Sequence, residues 1–164
     1  MSDASKICIE CQLCCNGSMI GFIQLEKSEI ERVKTIMEIE EENGHGVIIE
    51  PCEKLGCNGC TVYENRPKQC RAFKCKLLKS VGEKKVSMDT AFNIVEIIKI
   101  KRKSIENLSQ IHNFNLRSNS FYFKTLEIRN LIKKEVKPSD DYNQLNNELN
   151  SLNDLMFDYL GVSI

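Results

Sequence analysis

Hydrophobic residues recur at helical spacing through most of the C-terminal half of the chain. Stripes of Ala, Ile, Leu, Val, Met and Tyr step mainly by three and four residues over 91–108, 121–136 and 142–159. This spacing places apolar side chains on one face of a helix, so the pattern predicts three amphipathic helices. Pro138 is expected to end the second one. We predict a helical hairpin or small bundle, packed on the N-terminal half or on a partner.

Shorter elements are predicted in the N-terminal half. An alternating stretch at 19–25 and the apolar run at 47–49 each predict a strand. Between them, the sequence S-E-I-E at 28–31 matches a capping box, which predicts the start of a helix. We expect this helix to end at residues 43–44, where Asn-Gly tolerates positive φ angles.

These elements together predict an α+β fold. Residues 1–85 are expected to form a small cysteine-rich module with short strands and one helix, and residues 86–164 a helical C-terminal extension packed on it. The boundary follows a change in composition near residue 86, beyond which Ile, Leu, Asn and Lys dominate and no cysteine occurs.

The charge balance argues against several classes of partner. The 164 residues include 23 Lys and Arg and 23 Asp and Glu, so we expect no basic surface for nucleic acid or an anionic membrane. With 41% hydrophobic and 28% charged residues, the chain is too apolar to be disordered. No apolar run is long enough to span a bilayer, and the first ten residues lack the pattern of a secretory signal. We therefore expect a cytoplasmic protein.

Nine cysteines are concentrated between Cys8 and Cys75, in two segments at 8–15 and 52–75. Their odd number and the reducing compartment argue against a disulfide framework. Thiol redox catalysis is also disfavoured, because the C-x-x-C pairs overlap and lie among glycines and turns. In redox proteins such a pair lies at a helix N-terminus, where the dipole lowers the pKa of the thiol.

Ligation of a metal by thiolates fits the cysteine pattern best. Zn²⁺ takes four ligands in a tetrahedron, and iron–sulfur clusters also take four thiolates. Two segments that are distant in sequence can close such a site together. Because neighbouring side chains point apart, Cys14 and Cys15 are expected to serve different ions or a polynuclear site. Eight sulfurs would fill two four-coordinate sites and leave the ninth cysteine spare.

The motif C-x2-C-x2-C-C, followed by C-T-V-Y-E-N-R-P-x2-C-R-x-F-x-C, resembles the YkgJ-type cysteine-cluster family. The resemblance covers about residues 7–78, and the CxxCxxCC domain of that family is described as zinc- or iron-chelating. By position, the resemblance implies eight metal ligands: Cys8, Cys11, Cys14, Cys15, Cys52, Cys60, Cys70 and Cys75. Cys57 departs from the family pattern and either replaces another ligand or remains a free thiol.

Two arginines flank Cys70. Arg66 and Arg71 would either offset the negative charge of a four-thiolate site through hydrogen bonds around it, or pair with Glu64 or a carbonyl as turn scaffolding. His45 is expected to be a solvated loop residue, because thiolates already suffice as ligands.

We interpret the chain as a cysteine-thiolate protein that binds zinc or iron, with a [4Fe–4S] cluster as one form of the iron. The alternative is an iron–sulfur redox enzyme or a protein-modifying enzyme that acts with an unknown protein partner. A similar domain occurs in flagellin lysine methylases, so the resemblance keeps a lysine methylase-like role open. The chain contains no G-x-G-x-x-G or P-loop motif for a nucleotide.

Overall fold

A computed structural model describes residues 3–112, 114–134 and 140–164, and it has the expected α+β architecture. Its side chains are described from Lys6 onward. The helices are α1 (Asp3–Cys11), α2 (Ile30–Lys34), α3 (Lys68–Ala72), α4 (Lys76–Gly82), α5 (Met88–Ile111), α6 (Phe121–Lys134) and α7 (Asp140–Leu155). The strands are β1 (Phe22–Leu25), β2 (Glu40–Glu42), β3 (His45–Ile49), β4 (Leu55–Gly56) and β5 (Gly59–Cys60). Short 3₁₀ turns occupy Lys27–Glu29 and Tyr63–Asn65, and a π turn occupies Met156–Leu160.

Strands β1, β3 and β2 form an antiparallel sheet in that order, while β4 and β5 form a separate hairpin. Phe22 pairs with Ile49 and Leu25 with Gly46, so both strands predicted in this region are confirmed. The predicted helix from residue 28 to residue 43 is wrong, because α2 ends at Lys34.

The turn between β2 and β3 explains this error. Asn43 and Gly44 have φ angles of 52° and 73°, as a two-residue hairpin turn requires. The glutamates before them therefore form the edge strand β2 and do not end a helix. The capping box lies two residues earlier than predicted. It joins Glu26 and Glu29, and the Glu29 carboxylate accepts the Glu26 N–H at 3.2 Å. Ser28 lies within the 3₁₀ turn and does not cap it.

Two hydrophobic clusters hold the chain together. The main core combines residues near the cysteines, such as Ile7, Leu13 and Leu77, with the buried faces of α5, α6 and α7. A smaller cluster lies under the three-stranded sheet and includes Ile23 and Val33. The main core therefore has contributors on both sides of residue 85, and a boundary between two domains there stays a prediction.

The predicted C-terminal helices are confirmed by α5, α6 and α7, while Pro138 lies outside the described residues. The apolar stripe predicted over 142–159 differs from the structure at its last position. There Tyr159 is 43% exposed, and the neighbouring Leu160 is buried instead. The π turn at Met156–Leu160 causes this difference, since its wider turn moves the buried position on by one residue. Among the described helices, none has the length and apolar character needed to cross a membrane.

Candidate metal centre

The first cysteines lie at the C-terminal end of α1. Cys8 and Cys11 are in its last turn, and Gln12 ends the helix with a φ angle of 56°. Cys14 and Cys15 follow in the turn after it. We expected only turns around these cysteines, and α1 corrects this, since an i, i+3 spacing also places two side chains on one helix face. The C-terminal end of a helix carries partial negative charge, which is the opposite of the setting that activates redox thiols.

A backbone hydrogen bond joins the two cysteine segments. The Cys52 N–H donates to the Cys15 carbonyl at 2.8 Å, so residues far apart in sequence meet at this point. Cys60 lies in β5, opposite Leu55 of β4. The hairpin therefore carries Cys60 to the end of α1, with which β5 is in contact.

Two short helices present the last two cysteines. Pro67 precedes α3, which carries Cys70. The Gln69 side chain accepts the Gln24 N–H at 2.7 Å and docks α3 on β1. Cys75 caps α4, where its Sγ accepts the Leu78 N–H at 3.4 Å.

One cavity of about 230 Å³ collects the cysteines. Its lining includes all eight residues that the sequence singles out: Cys8, Cys11, Cys14, Cys15, Cys52, Cys60, Cys70 and Cys75. Cys57 is exposed in the turn between β4 and β5 and is not part of this lining. All nine cysteines are free thiols. His45 is exposed and also lies outside the cavity lining.

Most of the mutual repulsion among the eight cysteines lies within two groups, which the neighbouring Cys14 and Cys15 link. The pKa of Cys11 is raised to about 11, mainly by burial and to a smaller extent by Cys75 and Cys8, against a backbone hydrogen bond with Leu13. Burial likewise raises the pKa of Cys14, with contributions from Cys11, Cys15, Cys75 and Cys8. The pKa of Cys8 is raised by burial and then by Cys75. We call Cys8, Cys11, Cys14 and Cys75 the first thiol group.

The other four cysteines are coupled in the same way. Burial raises the pKa of Cys15 to about 12, together with the charges of Glu50, Cys52, Cys70 and Cys60. The pKa of Cys70 is raised to about 12 by burial and by Glu50, Cys52 and Cys60. We call Cys15, Cys52, Cys60 and Cys70 the second thiol group. The adjacent Cys14 and Cys15 thus fall into different groups.

The donor set fits a thiophilic metal. In the part of the chain that the structure describes, no three Cys, His, Asp or Glu side chains already stand in an arrangement that would hold an ion. The sulfurs share a cavity, however, and burial disfavours the thiolate forms of six of them: Cys8, Cys11, Cys14, Cys15, Cys52 and Cys70. A cation removes this penalty, because it binds thiolates and compensates their charge. Zinc, iron and iron–sulfur clusters all take sets of four thiolates.

Glu50 is a site residue that sequence reasoning missed. Its side chain lines the same cavity and is 3% exposed, and its Oε2 has no hydrogen-bond partner in the described part of the chain. Burial raises the pKa of Glu50 to about 8, although a hydrogen bond from the Cys52 backbone opposes this shift. The strand pattern could have indicated Glu50. Side chains of β3 alternate between exposed and buried faces, with Gly46 and Ile48 buried, and the same alternation places residue 50 on the buried face.

Arg66 makes the carbonyl contact of the turn-scaffolding role, while its role beside a metal stays a prediction. Its Nε donates to the Tyr63 carbonyl at 2.7 Å, and its guanidinium lies 3.5 Å from the centroid of the Tyr63 ring. Its charge also lowers the pKa of Cys8 and of Cys70, against the larger effect of burial. Arg66 therefore lies near both thiol groups. Arg71 lines the cavity too but is exposed.

Lys99 is a second residue near the cysteines that the sequence analysis did not single out. Its Nζ donates to the Glu10 carbonyl at 2.5 Å, at the end of α1. Its charge lowers the pKa of Cys11, although burial dominates the net shift. Helix α5 thus contributes a cation beside the first thiol group.

Comparison with known proteins assigns the chain to a family. A family model described as "CxxCxxCC: Putative zinc- or iron-chelating domain" matches residues 7–94. The chain belongs to the CxxCxxCC family. The matched part of this CxxCxxCC protein contains all eight cavity cysteines and the first residues of α5, whereas Lys99 lies beyond it. No curated protein and no solved structure matches the chain.

Proposed function

We propose that this CxxCxxCC protein binds metal in two adjacent thiolate centres. The first thiol group would hold one centre and the second thiol group the other. The observation that carries this proposal is the common cavity, which is lined by eight of the nine cysteines and excludes Cys57. The grouping of the thiols by mutual repulsion supports two sets of four.

Two cationic side chains near the thiol groups would stabilise buried thiolates. Four thiolates around one divalent cation leave a net charge of minus two, which nearby cations stabilise. Arg66 lies near both groups and Lys99 near the first. The raised pKa values disfavour a free nucleophilic thiolate, so metal ligation explains the cysteines better than thiol redox catalysis. Metal binding would also contribute to the folding of the N-terminal half.

Zinc and iron differ in what the same thiolates would do. A closed four-thiolate zinc centre is structural, whereas iron–sulfur centres supply electron transfer. The enzymatic alternative, an iron–sulfur redox or lysine methylase-like protein acting with a partner, belongs to the iron case. Anaerobic purification followed by an absorption spectrum distinguishes them, because iron–sulfur centres absorb in the visible region and zinc thiolates do not.

Cysteine variants test the two-centre arrangement. We expect Cys14→Ser and Cys70→Ser each to lose about half of the bound metal, since each belongs to a different group. Cys57→Ser is the matched control and should retain the full amount. Metal content per folded chain is the measurement. Equal loss in Cys57→Ser and Cys70→Ser would contradict the proposal, as would a folded wild-type chain without metal.

A further inference from the structure

We propose that Glu50 is an oxygen ligand of the centre formed by the second thiol group. This inference rests on the proposed metal binding and extends it, because neither the cysteine pattern nor the family description assigns a carboxylate to the site. Glu50 would bind through Oε2 and make this centre a mixed sulfur–oxygen site.

The first argument is the state of the carboxyl group itself. Glu50 is 3% exposed, and its Oε2 has no hydrogen-bond partner among the described residues. A buried polar atom without a partner costs about 1–3 kcal/mol, and more if it is charged, so native proteins rarely leave one. The Glu50 N–H donates to the Gly21 carbonyl at 3.0 Å, which fixes the backbone and keeps the side chain inward.

The second argument is what surrounds the carboxyl group. Glu50 lines the same cavity as the second thiol group and lies close to Cys15, Cys52 and Cys70. Among these potential anions the carboxylate form needs a cation beside it, and without one the group stays protonated. A metal ion held by these thiolates would satisfy the unpartnered oxygen and the thiolates together.

The consequence is that the two centres differ. The first thiol group offers four sulfurs, whereas the second offers four sulfurs and one oxygen. Carboxylate is a harder ligand than thiolate, so it favours iron over softer ions in relative terms. A fifth donor also exceeds the four of a closed zinc site, and we expect the ion there to be five-coordinate.

Cobalt substitution tests this assignment on the full chain. Co²⁺ is added under anaerobic conditions to the wild type, to Glu50→Gln and to the control Glu53→Gln. Glu53 is also a carboxylate near Cys52, but its side chain is 42% exposed and paired with Lys54. The readouts are the visible d–d bands, which distinguish four- from five-coordinate Co²⁺, and competition with a chelator.

We expect two Co²⁺ equivalents in the wild type and in Glu53→Gln, one of them five-coordinate. In Glu50→Gln the second equivalent should bind at least about tenfold more weakly and show four-coordinate bands. The first equivalent should be unchanged, which also shows that the variant folds. If both equivalents were lost, Glu50→Asp would decide, because it keeps the charge but withdraws the oxygen by one methylene. Its second equivalent should then be selectively weakened.

Two outcomes would overturn the inference, and they are distinguishable. If Glu50→Gln bound both equivalents with wild-type bands and affinity, Glu50 would not be a ligand, while the two-centre proposal would stand. If the wild type bound no Co²⁺, the proposed function itself would fail.

Discussion

Replacement of Lys99 by methionine removes the cation that α5 places beside the first thiol group. Methionine is of similar length and apolar, so the change deletes the charge and the hydrogen bond while largely keeping the packing. The lost contact joins Nζ to the Glu10 carbonyl at 2.5 Å, at the C-terminal end of α1. A hydrogen bond of this kind contributes about 0.5–1.5 kcal/mol, and a cation at a helix C-terminus contributes about 0.3–1 kcal/mol. These contributions overlap, so we expect a loss of about 1 kcal/mol in the free energy of unfolding.

A second effect of the same variant concerns metal uptake. The charge of Lys99 lowers the pKa of Cys11, so its removal raises that pKa. Because a thiol must lose its proton to bind metal, half-maximal zinc binding at the first centre should move to higher pH. Urea denaturation measures the stability change, and a zinc titration as a function of pH measures the shift.

Lys103 provides the matched control, since it is an exposed lysine on the same helix. Lys103→Met should leave both the stability and the pH of metal uptake close to wild type. If Lys99→Met behaved like Lys103→Met in both assays, the coupling between α5 and the first thiol group would be refuted.

Further predictions concern Glu50 and the helical core. In the metal-free protein, burial holds the pKa of Glu50 at about 8, above its usual 4.5, so the folded state binds more protons between these values. Stability should therefore fall as pH rises from about 5 to 8, by at most about 1.4 kcal/mol per pH unit, and Glu50→Gln should flatten this slope in urea denaturation. A slope that is equal in the variant would contradict the pKa shift. Leu149 is fully buried in α7, so Leu149→Ala should cost about 2–5 kcal/mol in thermal denaturation. Leu126 is 39% exposed, and Leu126→Ala should cost far less; similar losses in both would refute the packing of α7.

The helical half was predictable because its helices are long and periodic. The stripe on α5 repeats over many turns, and its buried positions, from Ala91 to Ile105, match the expected face. The N-terminal half has elements of two to nine residues, where periodicity carries little information. There, two backbone positions with positive φ, Asn43 and Gly44, turned an expected helix end into a hairpin.

The cysteine set of the site was predictable, but its division was not. The family resemblance singled out the eight cavity cysteines and set Cys57 apart, whereas spacing alone left one of the nine spare without saying which. The first thiol group, however, joins Cys75 to three cysteines from the other segment, a long-range arrangement that local spacing does not encode. Glu50 and Lys99 were missed for the same reason, because their roles depend on tertiary contacts.

Native mass spectrometry of the anaerobically purified wild-type chain tests the central claim most directly. It measures the mass of bound metal and, from the deficit in hydrogen, the number of thiols that have lost a proton. We predict a folded species heavier than the 18.8 kDa polypeptide by two metal centres, with the eight cavity thiols deprotonated. A compact, folded species at the mass of the bare polypeptide, or one that carries a single four-thiolate ion, would contradict the account.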